Sequence, residues 1–483
     1  MRHRILQWFK QDNVTSMALY ALSLLMMKGT SLLMLPFMAS YLTPSQFGHL
    51  ELLSITTVFF SLMVGLAMHE NLYRFIGTIK DASTRFARVC ELYSSSFSTS
   101  LLLAGVLFAG YFAVSHAALT INTEQMALIT IVVIVEAPLA ICLAWLRLNN
   151  KAVTFFKISF VTLLIQVSLV ILILTNNPDV TLLFSVGVLC AVLQVTYLHF
   201  HNKLSFKLPT LVHYKRYVQY SFPLMLSASV AFGLSGAERW IIAEAHTLET
   251  LGIYAVAAKF ALALGILIQP FHMWWMPKRF EVLETLGKEK VALNTQHGII
   301  ALCFLGVIVM WMSQCFISLA LPSDYQSAGQ LVVLCIVIML LKEMVEMLNI
   351  GVLYAKQTSK LFIINIVATA VALVSAWLTK ETGVTAILLS LCMGQFIRLT
   401  LIYHLSQSLC HIPYRYGALL AFVLISSLFT ISGWFNHSLE TAGVMLVLQP
   451  MALIALLHKL RFISLSASSV QKAHRHNHVE RTL

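Results

Sequence analysis

Lys28, Glu51, Glu136, Lys259, Lys342, Glu343, Glu346 and Arg398 lie inside long apolar runs of this 483-residue chain. A charge at that depth costs about 2.5–3.5 kcal/mol on insertion scales, and such residues usually face a bundle interior or an aqueous cavity. Arg74 and Arg239 stand at the ends of such runs. Lys342 and Glu346 are spaced i,i+4, which puts them on one helix face as a mutually neutralising structural pair. That leaves Glu343 over. Glu136, Glu343 and Glu346 are therefore the candidates for coupling to a proton or sodium ion, and no metal-ligand set is indicated.

Around these charges the chain is 59% hydrophobic and 11% charged, against roughly 25% charged in a soluble domain. A water-soluble globular protein is excluded. A membrane helix needs about 20 apolar residues, and the runs at 14–41, 47–68, 92–114, 126–146, 158–174, 180–200 and 220–243 meet that length, as do those at 251–277, 292–320, 329–354, 361–378, 383–406, 416–434 and 442–457. The expected fold is an all-α polytopic membrane protein of about 14 transmembrane helices.

Lys and Arg fix the orientation, because short loops rich in them stay in the cytoplasm. With the N-terminus inside, 26 of the 32 fall on the cytoplasmic side, and only Arg239 and Lys380 fall on the other. Both termini are then cytoplasmic. The net charge of +12 is explained by topology and contact with anionic membrane lipids, not by nucleic acid. Arg2, Arg4 and Lys10 resemble the charged start of a signal peptide, but the apolar run that follows is too long, so the first span is expected to be retained. The eight cysteines lie in spans or near their cytoplasmic ends with no C-x-x-C spacing, which indicates neither a disulfide framework nor a zinc site. His474, His476 and His478 fit either a solvated basic tail or an adventitious metal site.

Aligning Leu42-Thr43-Pro44-Ser45-Gln46-Phe47-Gly48 with Thr247-Leu248-Glu249-Thr250-Leu251-Gly252 superposes Gly48 on Gly252 at an offset of 204 residues. Both stretches join an odd helix to the next even one. This divides the chain into an N-terminal six-helix lobe (1–219), a C-terminal six-helix lobe (220–407), two additional helices (408–457) and a basic tail (458–483), the lobes being parallel repeats about an axis along the membrane normal.

The segment from Leu42 to Gly48, then Gly65-Leu66 leading to Asn71-Leu72-Tyr73-Arg74, then Glu238-Arg239 followed by Leu251-Gly252-Ile253-Tyr254 resemble motifs of the Wzx-type polysaccharide and O-antigen flippases. Pro322 to Ala328 with Tyr325, and Gly383-Val384-Thr385-Ala386, extend the similarity. That family shares its superfamily with multidrug exporters and the lipid II flippase. The resemblance implies a transporter in the bacterial inner membrane that moves polyprenyl-diphosphate-linked oligosaccharide to the outer leaflet by alternating access, for O-antigen, capsule or exopolysaccharide synthesis. A polysaccharide polymerase and a chain-length regulator are its expected partners, and no cofactor is expected.

For such a substrate Lys28, Arg74, Arg239 and Lys259 are the candidate binding residues, since ammonium and guanidinium groups in a partly desolvated cavity make charge-assisted hydrogen bonds to a diphosphate. Their plainer roles are pairing or anchoring: Lys28 with Glu136 or by snorkelling, Arg239 with Glu238 or Glu244. Arg398 could reach inner head groups or substrate. Pro36, Pro138, Pro223 and Pro270 fall in spans, where each permits a bend. An enzyme of the same pathway would need an acidic cluster, yet Asp12, Asp81, Asp179 and Asp324 lie outside the spans with no D-x-D arrangement, and no Walker loop is present. The rival is an ion-coupled multidrug exporter of the same fold, favoured by Glu51, Glu136, Glu343 and Glu346. The topology is checked by single cysteines: Ser323→Cys is expected to react with an impermeant thiol reagent added outside and Ser359→Cys is not, and the reverse pattern discards the orientation.

Overall fold

The computed structural model describes residues 19–462 apart from positions 21, 24, 28, 114–120, 208 and 437. Lys28 and the tail histidines lie outside the described residues. The described residues begin with a helical stretch that ends in α1 (Leu35–Tyr41), followed by α2 (Pro44–Gly65), a π turn at Leu72–Ile76, α3 (Ala82–Ala113), α4 (Thr123–Leu148), α5 (Ala152–Asn176) and α6 (Val180–His201). The second half holds α7 (Leu211–Gly233), α8 (Glu238–Ala245), α9 (Leu248–Trp275), α10 (Arg279–Thr285), α11 (Gly287–Ala320), α12 (Ala328–Leu348) and α13 (Ile350–Tyr354). It closes with α14 (Thr358–Leu378), α15 (Val384–Leu409), α16 (Tyr416–Ser432) and α17 (Leu439–Lys459). Eleven of these are long and apolar enough to cross a membrane, and the bent pair α7 and α8 brings the number to 12. Beside these stand the 21-residue α12, packed among α9, α11 and α15, and the helical stretch that ends in α1. Loops rich in Lys and Arg define the basic end of the bundle; the other end is charge-poor.

Four spans differ from their expected form. The seventh is broken by 47° between α7 and α8, where Gly233 borders the break and Gly236 lies within it, favouring a kink. The tenth is interrupted at Asn349, whose Oδ1 accepts from Arg279 Nη1 at 3.0 Å. The second ends at Gly65, after which Leu66 and Ala67 adopt the left-handed conformation with φ of 49° and 48°. The third begins ten residues early, because Asp81 caps it by accepting from the Thr84 backbone N–H at 2.8 Å; the hydrogen bonds from Thr84 and Ser83 hold the Asp81 carboxyl down to about 2.

α2 and α9 begin alike. Thr43 and Thr247 each cap their helix, accepting from the N–H of Gln46 and Thr250 at 3.3 and 3.2 Å. The helices then cross at the two glycines matched by the repeat. A Cβ on Gly48 would run into the Leu248 carbonyl oxygen and lie 2.7 Å from the Gly252 nitrogen, and one on Gly252 would run into the Pro44 carbonyl. Small residues let membrane helices approach backbone to backbone, where van der Waals contact replaces the missing hydrophobic drive. The same device joins α14 to α15: Ala368, Ala372 and Ala376 are fully buried, and Gly394 sits against the first two.

At the charge-poor end the two halves share one core, in which Leu42, Phe47 and Leu52 pack with Leu251, Tyr254 and Tyr325. Tyr325 Oη donates to the Leu42 carbonyl at 2.9 Å, and Trp240 Nε1 donates to Thr56 Oγ1 at 3.0 Å. Toward the basic end the cores are separate, one around Leu72, Leu92 and Leu146, the other around Trp275, Leu283 and Ile412. α7 runs between them. Its basic half gives Tyr217 and Met225 to the first-half core, and Gly233 at its other end abuts Thr369 of α14. The lobe boundary expected at 219/220 thus falls within this helix.

Candidate functional site

Three adjoining cavities lie along the seam between the halves. A cavity of about 250 Å³ is lined by Glu51, Glu238, Arg239, Tyr254, Lys259 and Lys342 among others. A second, of about 290 Å³, shares Leu262, Met339 and Lys342 with it and adds Gln269 and Glu343. A third, of about 420 Å³, is walled by first-half helices and shares Lys259 with the first. The helix register explains this placement. Lys259 stands seven residues beyond Gly252, two turns along the same face of α9, so the glycine crossing aims its ammonium at the seam.

The charges on these walls are unequally engaged. Arg239 Nε donates to Glu51 Oε1 across the seam at 2.8 Å, and its Nη1 donates to Glu238 Oε1 at 2.5 Å. Tyr254 Oη donates to the same Glu238 oxygen at 2.8 Å. Arg239 is only 13% exposed, and its single guanidinium bridges two carboxylates within the wall, so the cluster retains one negative charge on a cavity that Lys259 also lines. Glu244 does not take part; it pairs with Lys380 at 2.9 Å.

Lys342 and Glu346 do not pair. Glu346 Oε1 instead meets Arg398 Nη2 at 3.3 Å, and Arg398 Nε donates to Asn365 Oδ1 at 2.8 Å. This corrects the expected Lys342–Glu346 pair and gives Arg398 a carboxylate partner. The i,i+4 spacing permitted a contact, but the planar guanidinium from α15 offers Glu346 a partner of better geometry. Lys342 is left facing two cavities. No described carboxylate lies within 4.0 Å of the ammonium of Lys259 or Lys342. Lys259 instead sits 5.5 Å from the Phe47 ring centroid, within range of a cation–π contact.

Of the other expected site residues, Arg74 stands exposed on the π turn at the basic end and lines none of the three cavities. Glu136 lines the third. Glu343 lines the second, with its Oε2 3.4 Å from His272 Nε2. The role of Glu51 as the cross-seam partner of Arg239 was not visible in sequence, since the pair is separated by 188 residues. His272 was missed as well; a histidine among apolar helix residues carries no local signal of its partner.

No protein-family model matches the chain, and no curated protein does. Among solved structures it superposes on the lipid II flippase MurJ in an inward closed conformation, with a TM-score of 0.66 and 12% identity over 94% of this chain and 99% of that one. The fold is that of the lipid II flippase. Lower overlap is found with a MOP superfamily transporter from Pyrococcus furiosus whose binding pocket has reversed polarity (TM-score 0.49, 14% identity, 84% of this chain and 96% of that one). An inward-facing MATE multidrug resistance transporter gives a TM-score of 0.49 at 13% identity, covering 80% of this chain and 94% of that one.

The allocation of charge is tested by stability. Arg239→Met leaves two buried carboxylates facing each other and is expected to cost about 3–5 kcal/mol, read as a large fall in the thermal midpoint of the purified protein. Lys342→Met, which breaks no ion pair with a described residue, is expected to leave that midpoint unchanged or raised. Equal losses from both would contradict the pairing described.

Proposed function

We propose that the chain flips a polyprenyl-diphosphate-linked oligosaccharide from the cytoplasmic to the outer leaflet of a bacterial inner membrane by alternating access, with the basic end facing the cytoplasm. The observation that carries this reading is the pair Lys259 and Lys342, two ammonium groups on one inter-lobe cavity, neither within 4.0 Å of a carboxylate among the described residues. An anionic group entering beside the two lysines gains charge-assisted hydrogen bonds without taking either ammonium from a salt bridge to a described residue. Support comes also from the family motifs and from the shared fold of a protein described as a lipid II flippase.

In this reading Arg74, at the basic mouth, meets the head group first, and Lys28, which the sequence puts in the first apolar run, adds to the same charge. The lipid tail stays in the bilayer. Arg239 is held by Glu51 and Glu238 in this state and serves the closed seam. The multidrug reading loses part of its basis, because Glu51 and Glu346 are committed to arginines and are not open to a cationic drug. A diphosphate with about two negative charges gains roughly 4–5 kcal/mol at most per 100 mV when an interior-negative potential drives it outward, so transport is electrogenic.

The test is flipping of a fluorescent polyprenyl diphosphate oligosaccharide in proteoliposomes. Lys259→Glu and Lys342→Glu are each expected to slow it at least about tenfold, the equivalent of one lost charge-assisted hydrogen bond, with the variants still monodisperse in detergent. Undiminished flipping by the double variant, or transport of organic cations in place of the lipid, overturns the proposal.

A further inference from the structure

The third cavity is the largest of the three and lies on the first-half side of Lys259, away from Lys342. Its volume of about 420 Å³ falls within the roughly 300–1,000 Å³ typical of small-molecule sites. Its walls are amphipathic in a particular sense. Thr30, Ser54 and Thr57 each spend their hydroxyl proton on a backbone carbonyl one turn back, at 2.6, 2.8 and 2.8 Å. A hydroxyl that has donated still has an oxygen able to accept. The side-chain oxygens these residues offer the cavity are therefore acceptors.

Glu136 and Gln166 complete the set. Glu136 lines this cavity from α4, beside the Ser61 hydroxyl, and makes no ion pair with a described residue. Gln166 interrupts α5, a helix otherwise so apolar that its spanning segment averages a hydropathy of 2.5. A primary amide in that position is costly against lipid, and facing a wet cavity removes the cost. One carboxylate, the carbonyl oxygen of one amide and three committed hydroxyls suit a ligand dense in O–H and N–H donors, with the amide NH2 group as a donor beside them; Ser31 brings a fourth hydroxyl to the wall.

We propose that this cavity is the glycan subsite: it binds the first sugars of the lipid-linked substrate, with Glu136 as the specificity-determining acceptor for sugar hydroxyl or amide donors. The inference rests on the function proposed above, because Lys259 lines both this cavity and the one it shares with Lys342. A diphosphate held by the two lysines delivers its attached sugar into the acceptor-lined space. A neutral polyol fits better than a cation, which would be placed beside the Lys259 ammonium.

The experiment compares proteoliposome flipping of fluorescent polyprenyl diphosphate carrying no sugar with the same lipid carrying a hexose, an N-acetylhexosamine or a deoxyhexose. The intact protein is expected to move at least one sugar-bearing probe faster than the sugar-free one. Glu136→Leu is expected to lower that preference about tenfold, and Gln166→Leu to lower it less. Glu136→Gln, which keeps an acceptor oxygen, is expected to retain part of the preference. The glycan subsite is overturned if no sugar improves flipping, if Glu136→Leu slows every probe equally, or if the preference survives it. Failure of the intact protein to move any probe overturns the proposed function instead, so the two failures are distinguishable.

Discussion

The backbone contact between α2 and α9 sets the geometry of everything else in the seam. With no Cβ on Gly48 or Gly252, each helix lays its glycine against the other's first turn, and the two Thr-capped starts lie side by side. From that crossing the helical repeat dictates the rest. One turn beyond Gly48 comes Glu51, which reaches Arg239 across the seam; two turns beyond Gly252 comes Lys259, at the junction of two cavities. Side chains larger than hydrogen at the crossing would hold the halves apart, and the shared core of Phe47, Tyr254 and Tyr325 would not close.

Electrostatics then sorts the buried charges into two kinds. Desolvated ions must be paired or reach water. Arg239 and Arg398 meet that demand with carboxylates of other helices, whereas Lys259 and Lys342 meet it by facing cavities. The proposed transport uses both kinds. Opening the charge-poor end must break the Arg239–Glu51 contact, which crosses the seam, while Arg239–Glu238 and Tyr254–Glu238 stay within one half and keep the guanidinium partnered. The lysines carry no such debt and remain available in either state.

Much of this was legible in the residues. The 204-residue repeat matched not only Gly48 to Gly252 but also Thr43 to Thr247, both of which cap their helices, because caps and close crossings demand particular residue types at fixed offsets. Long apolar runs and the distribution of Lys and Arg gave the bundle. Partners distant in sequence were not legible: Glu346 chose Arg398 of another helix over Lys342 one turn away, and local spacing cannot show which neighbour tertiary packing brings closer. The break between α7 and α8 escaped for a related reason, since glycines such as Gly233 and Gly236 are common in unbroken membrane helices.

The central claim is that the halves part at the α2–α9 crossing during transport. Spin labels at Ser45 and Glu249, both exposed beside that crossing, measure it by pulsed electron–electron resonance in lipid. A single short distance is expected without substrate, and addition of a polyprenyl diphosphate oligosaccharide is expected to populate a second, longer one, with Lys259→Glu abolishing the response to substrate. One unchanged distance under all conditions, in protein that still flips the lipid, would contradict the account.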